Sequence, residues 1–235
     1  MKKQAALGFI FVTALIDIIG IGLIIPIMPD LIQEVTGLAA KDPKVARLGG
    51  LLITIYAVMQ FIFAPILGGL SDKFGRKPVL LIAMFGFAID YIIIALAPTM
   101  VWLFIARVIS GICGSSLTVA NAYIADISRP EERAKNFGMI GAAFGVGFVI
   151  GPALGGLLGE IGTRIPFYVA AGLSVLNFIY GWILVPESLH KEDRREFSWK
   201  RANPLGTLVR IFSFKTIIGL LVCLMFIYVA AHATH

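Results

Sequence analysis

PILGGLSDKFG, residues 65–75, returns as PALGGLLGEIG, residues 152–162, at a constant offset of 87. Proline, two leucines, two adjacent glycines and the final glycine coincide. Each copy closes an apolar run. Charge-free stretches extend from Leu48 to Ser71, Asn136 to Gly159 and Ile165 to Pro186, each long enough to cross a bilayer at about 1.5 Å per residue. Three more runs hold one ionisable group apiece: about 5–29 with Asp17, 78–97 with Asp90 and 100–125 with Arg107. A seventh starts after Lys215. Lipid offers the backbone no hydrogen bonds, so the runs are helices. An all-α polytopic membrane protein is therefore predicted. The first copy closes span 2 and the second closes span 5, on opposite faces, as two inverted three-helix repeats require. The same offset carries Asp90-Tyr91 to Asn177-Phe178.

Composition agrees. Of 235 residues, 58% are hydrophobic and 14% charged, with a mean hydropathy of +0.90, whereas soluble domains carry roughly 25% charged residues. The net charge of +6 does not point to nucleic acid, because it is sorted by face. With the N-terminus inside, fifteen Lys/Arg fall on the cytoplasmic side and four outside (Lys41, Lys44, Arg47 and Arg164). That asymmetry predicts the orientation. The first run is too long for a signal peptide and contains Asp17 and two prolines. Cys113 and Cys223 lie in separate spans and read as apolar fillers. Residues 1–186 form a six-span bundle, 187–215 a basic cytoplasmic connector with Phe197 and Trp199 at the interface, and 216–235 a seventh span opening a further bundle.

Asp17, Gln60, Asp90 and Asn177 each lie ten to twelve residues into their spans, at roughly 15–18 Å depth, with Arg107 close to that layer. A charge at a helix centre costs roughly 2.5–3.5 kcal/mol, so such residues usually face a cavity and act. Gln60 and Asn177 read equally well as interhelical hydrogen-bonding groups. Burial favours a neutral carboxyl and a nearby guanidinium a charged one, so small movements can move a proton. Asp17 or Asp90 opposite Arg107 is such a device.

In GGLSDKFGRKP, residues 68–78, Gly68 and Gly69 allow another helix to approach, and Gly75 reverses the chain. Arg76 and Lys77 are placed at the headgroups, and Pro78 in the first turn of span 3. Asp72 is expected to pair with Arg76 or with a helix N-terminus. Gly147, Gly151, Gly155 and Gly159, with Pro152 and Gly156 beside them, form a smooth ridge for close helix packing. Ser128-Arg129-Pro130-Glu131 is read as a capping box. No metal cluster, nucleophile triad or nucleotide loop is legible, so no enzyme activity and no cofactor are expected. His190, His232 and His235 are scattered.

These residues resemble the major facilitator superfamily. GGLSDKFGRKP is similar to its loop between spans 2 and 3. Leu103-x3-Arg107-x3-Gly111-x2-Gly114 resembles its span 4 motif, and Gly147-x3-Gly151-Pro152-x2-Gly155-Gly156 the span 5 motif of drug–proton antiporters. LIDIIGIGLIIPIMPDL, AIDYIIIALAP and ANAYIADISRPEERAKNFG are most like the tetracycline efflux proteins. The resemblance implies export of a magnesium–tetracycline chelate in exchange for protons across the cell (inner) membrane. Asp90 and Gln60 would contact the drug complex, magnesium being part of that substrate, and Asn177, at the same depth, is the third substrate-binding candidate. Asp17 and Arg107 would couple protons, and Gly68, Gly69, Asp72, Gly75 and Arg76 would gate. Family members have twelve spans, so a C-terminal half or a partner chain is implied. A facilitator for another amphipathic compound, or a non-transporting half, are the alternative expectations.

Overall fold

A computed structural model describes residues 2–206, together with 218, 219, 222, 223 and 226. The span expected over 216–235 lies mostly outside these residues, as do His232 and His235. The described chain is helical: α1 (Lys2–Thr36), α2 (Pro43–Phe74), α3 (Arg76–Leu96), α4 (Met100–Gly114), α5 (Ser116–Ile127), α6 (Pro130–Ile161) and α7 (Ile165–Leu184). A single 3-10 turn, Lys191–Asp193, follows in the connector. Six segments among these are long and apolar enough to cross a membrane. The fourth span is α4 and α5 together, with a break at Ser115. There the serine hydroxyl donates to the carbonyls of Gln60 (3.0 Å) and Gly111 (3.2 Å), so the broken turn keeps hydrogen-bonded neighbours in an apolar setting.

The repeat seen in the sequence has a structural counterpart. Helices α2 and α6 are both 32 residues long, and their two ends differ by the same 87 positions. Each ends on a glycine whose N–H donates four residues back, Gly75 to Ser71 (3.1 Å) and Gly162 to Leu158 (3.2 Å). The packing exchanges in the same way. Helix α1 lies against α6 as α4 and α5 lie against α2, and α3 lies on α4 as α7 lies on α1.

Close approach follows from small residues. A Cβ on Gly151 would stand 2.8 Å from the Gly22 Cα and 3.0 Å from the Ile19 carbonyl, and one on Gly147 would meet Ile18 at 2.7 Å. Pro152 packs beside Gly22, while Gly156 faces open space. On the other side of the bundle Gly111 lets α4 approach the Tyr56 carbonyl of α2, and Gly114 abuts the Tyr56 hydroxyl. Cys113 is buried against Gly86. Cys223 is exposed rather than a buried filler, and both cysteines are free.

At the end carrying residues 72–77, two sequence expectations change. Arg76 does not face headgroups. It is 8% exposed, with its guanidinium on Asp72 (2.6 Å), Asp126 (3.2 Å) and the Ser71 hydroxyl (2.6 Å). Two carboxylates and a hydroxyl there outcompete a hydrated surface. Gly75, at φ 106°, makes the turn that returns Arg76 toward Asp72. The capping box also fails. The N-cap of α6 is Arg129, without a side-chain bond, because the Ser128 hydroxyl instead accepts from Asn136 at 2.7 Å. The connector seals this end. Glu187 accepts from the backbone N–H of Arg76 at 2.8 Å, and the Arg195 N–H donates to the Asp72 carbonyl at 3.0 Å. Phe197 covers Gly69 and carries the exposed Trp199 edge-on. At the opposite end Arg164 binds Glu34 and two carbonyls at the close of α3, that of Ala95 and that of Ala97 just past its end.

Candidate functional site

Asp17, Asp90 and Arg107 come together. They are 4%, 0% and 4% exposed, and the Arg107 Nη2 donates to the Asp90 Oδ2 at 3.3 Å. One layer of the bundle positions them. Asp17 sits on α1 beside Ile18, Ile19 and Gly22, which pack on α6, and Asp90 lies in the second half of α3. Arg107 is fixed on α4, whose next turn is clamped to α2 through Gly111. Pairing is incomplete. Asp90 Oδ1 and Arg107 Nε are buried without hydrogen-bond partners, and Asp17 has no hydrogen bond or ion pair among the described residues. Buried groups of this kind are usually satisfied in native proteins, so this layer is equipped to take up a proton, a water or a cationic ligand.

The three residues line a small cavity with Tyr56, Tyr91 and Ser110, of about 10 Å³. Ile21, Ile24, Tyr56 and Arg107 also line a larger space of about 570 Å³ between α1 and α2. Ile24, Met28, Ile32, Leu52 and Ile53 give that space apolar walls, with Lys41 and Asp42 at its far end. An apolar cavity with a few convergent polar groups is the usual form of a small-molecule site.

Gln60 and Asn177 stand elsewhere. The Gln60 amide donates to the Tyr56 hydroxyl at 3.2 Å, one residue removed from both cavities. Asn177 donates to the Thr13 hydroxyl at 2.9 Å and lies 3.3 Å from the Met84 sulfur. That joins α1, α3 and α7 outside either cavity, and its Oδ1 is buried unpartnered. Gly68, Gly69, Asp72, Gly75 and Arg76 are assembled at the connector end, away from the Asp90 layer. Tyr56 escaped the sequence reading, and Tyr91 entered it only as Asp90's neighbour in the repeat, because tyrosine is ordinary in an apolar span. Asp126 and Glu187, acids in an otherwise basic end, carried a signal in their charge that the sequence reading passed over.

The profile of the Major Facilitator Superfamily matches residues 10–234. The chain belongs to the major facilitator superfamily. Superfamily members similar to it include tetracycline resistance protein class C of Escherichia coli, 43% identical over 97% of this chain and 56% of that protein. The class H protein of Pasteurella multocida is 45% identical over 78% of this chain and 45% of its own length. The quinolone resistance protein NorA of Staphylococcus aureus is 34% identical over 79% and 46%. The chain spans about half the length of these curated relatives. In fold it superposes on the human organic anion transporter MFSD10 with a TM-score of 0.70, at 24% identity, over 83% of this chain and 50% of that one. The chain is thus a multi-pass membrane protein of this superfamily, with tetracycline and multidrug resistance proteins among its relatives.

Proposed function

We propose that this chain is the front part of a proton-coupled exporter that takes tetracycline as its magnesium chelate. The observation that carries the reading is the buried Asp90–Arg107 pair with Asp17 beside it, Arg107 also lining an apolar cavity. A carboxylate with one free oxygen suits a cationic drug complex or a proton, and the apolar wall suits a fused-ring body. Asp90 meets the chelate, while Gln60 holds Tyr56 in the cavity wall. Arg107 competes with drug and proton for Asp90, and Asp17 takes a proton when α1 moves. The basic connector end, including Lys73, Lys77 and Arg129, faces the cytoplasm, with the N-terminus inside the cell membrane. A second six-span half, in the same product or in a partner chain, supplies the rest of the cavity. The intact mass of the product from its native membrane separates those two cases.

The test uses inside-out vesicles holding the complete gene product. Tetracycline with magnesium is expected to drive protons out of the vesicle lumen, and a chelator of divalent cations to abolish the response. Asp90→Asn, inserted at wild-type level, is expected to lower the response at least tenfold. An undiminished response would remove Asp90 from the mechanism. The quinolone-resistance relative, at 34% identity, favours a second reading: export of another amphipathic drug. Proton release with a quinolone but not with tetracycline would select it.

A further inference from the structure

Tyr91 lies next to the Asp90–Arg107 pair, and the bundle is cut to receive it. A Cβ on Gly20 would fall 1.6 Å from the Tyr91 hydroxyl and 2.8 Å from its Cζ. Position 20 therefore tolerates no side chain while the phenol is in place. The ring is 2% exposed and stacks on Phe87, one turn earlier on α3, at 6.2 Å between centroids. The hydroxyl is thus pinned against the α1 backbone one turn beyond Asp17, in the small cavity that Asp17, Asp90 and Arg107 also line. Neither the Tyr91 hydroxyl nor the Asp17 carboxyl has a hydrogen-bond partner among the described residues. The other ionisable groups facing this point are Tyr56 from α2 and Cys113 from α4.

We infer that Tyr91, seated by Gly20, is a positioning residue for proton coupling, its hydroxyl bridging Asp17 to the Asp90–Arg107 pair as α1 shifts relative to α3. The inference rests on the proton-coupled reading above and adds a residue to it. A phenol hydroxyl donates to a carboxylate and accepts from a guanidinium. One group can thus serve both the charged and the neutral state of the layer without losing its own proton. Because Gly20 fixes where the hydroxyl stands, a shift of α1 relative to α3 makes or breaks this contact, which ties the bridge to the alternating movement.

The test is drug-driven proton exchange by the complete gene product in liposomes, measured across pH, with drug binding measured separately. Tyr91→Phe keeps the ring and its stack on Phe87 and removes only the hydroxyl. It is expected to reduce maximal exchange at least fivefold and displace the pH profile by half a unit or more, with drug affinity within twofold. Gly20→Ala, which expels the phenol, is expected to reproduce that loss. The double variant Gly20→Ala/Tyr91→Leu relieves the clash, so it is expected to regain thermal stability and not exchange. A Tyr91→Phe protein with wild-type maximal rate and pH profile would overturn the inference while the wild-type response left the exporter reading standing. A wild-type protein that exchanges no protons with either tetracycline or a quinolone would overturn both.

Discussion

Arg107 and Asp90 are buried in a layer shielded from bulk water, and each depends on the other. Removing one partner of a buried pair leaves an uncompensated charge, at about 3–5 kcal/mol, whereas replacing both can be nearly neutral. Arg107→Met is therefore expected to lower the thermal stability of the detergent-solubilised protein sharply. Asp90→Asn/Arg107→Met is expected to recover most of that loss while remaining transport-dead. A double-mutant cycle in melting temperature checks this, since contacting residues couple by roughly 0.5–3 kcal/mol. Strict additivity of the two single losses would mean that the pair, 3.3 Å apart here, is not coupled in the membrane. The charged members of this site were legible in the sequence because a charge inside an apolar run has a high cost and so stands out. Tyr91 was not. Its importance depends on the glycine it meets 71 positions away on another helix, and no local pattern encodes that meeting.

Between elements, the contact that organises the bundle is α1 on α6. The glycine spacing on α6 announced a smooth ridge, and the structure adds which glycines are used. Gly147, Gly151 and Gly155 meet α1 backbone and side chains, whereas Gly156 meets nothing within 4 Å. Gly151→Ala is expected to destabilise by about 1–3 kcal/mol, in the range of other overpacked interiors, because the obstructing atoms are the Gly22 Cα and the Ile19 carbonyl, which cannot rotate away. Gly156→Ala is expected to be neutral or stabilising by up to about 1 kcal/mol, from helix propensity alone. Unfolding of both variants in one detergent measures the difference. Equal melting temperatures would show that α1 and α6 stand further apart than described. Sequence alone was weaker at the helix ends. A serine and a glutamate at capping-box spacing flank α6, yet Ser128 closes α5 and takes its bond from Asn136. Which helix a junction residue serves is decided by the partner the fold brings to it.

Across the whole molecule, the two three-span repeats place Asp90 and Asn177 in equivalent positions, the first paired with Arg107 and the second with Thr13. Asp90 and Asn177 are separated by the repeat offset, and the α3–α4 contact of the first pair answers the α7–α1 contact of the second. One pair is ionic and borders a cavity. The other is neutral and lies in packed interior, with Met84 completing it. The offset alone made the match of Asp90 with Asn177 visible in the sequence, but not their partners, nor that the two pairs differ in access, because that depends on which face of each span the cavity occupies. The asymmetry implies a division of labour in which one pair changes charge state and its counterpart anchors α1 to α7. Asn177→Asp should expose that division. It introduces a carboxylate where Asn177 now has Thr13 and Met84 as partners, and the lenient scale for a charge at a helix centre puts the cost at about 2.5–3.5 kcal/mol. The expected outcome is poor insertion and a lowered melting temperature, whereas Asn177→Ser keeps a hydroxyl for Thr13, so most stability and transport remain. Measurement of membrane level and melting temperature for the two variants separates anchoring from drug contact. If Asn177→Ser instead kept its stability and lost drug affinity tenfold, Asn177 would belong to the drug path, and α7 would have to turn toward the cavity during the transport cycle.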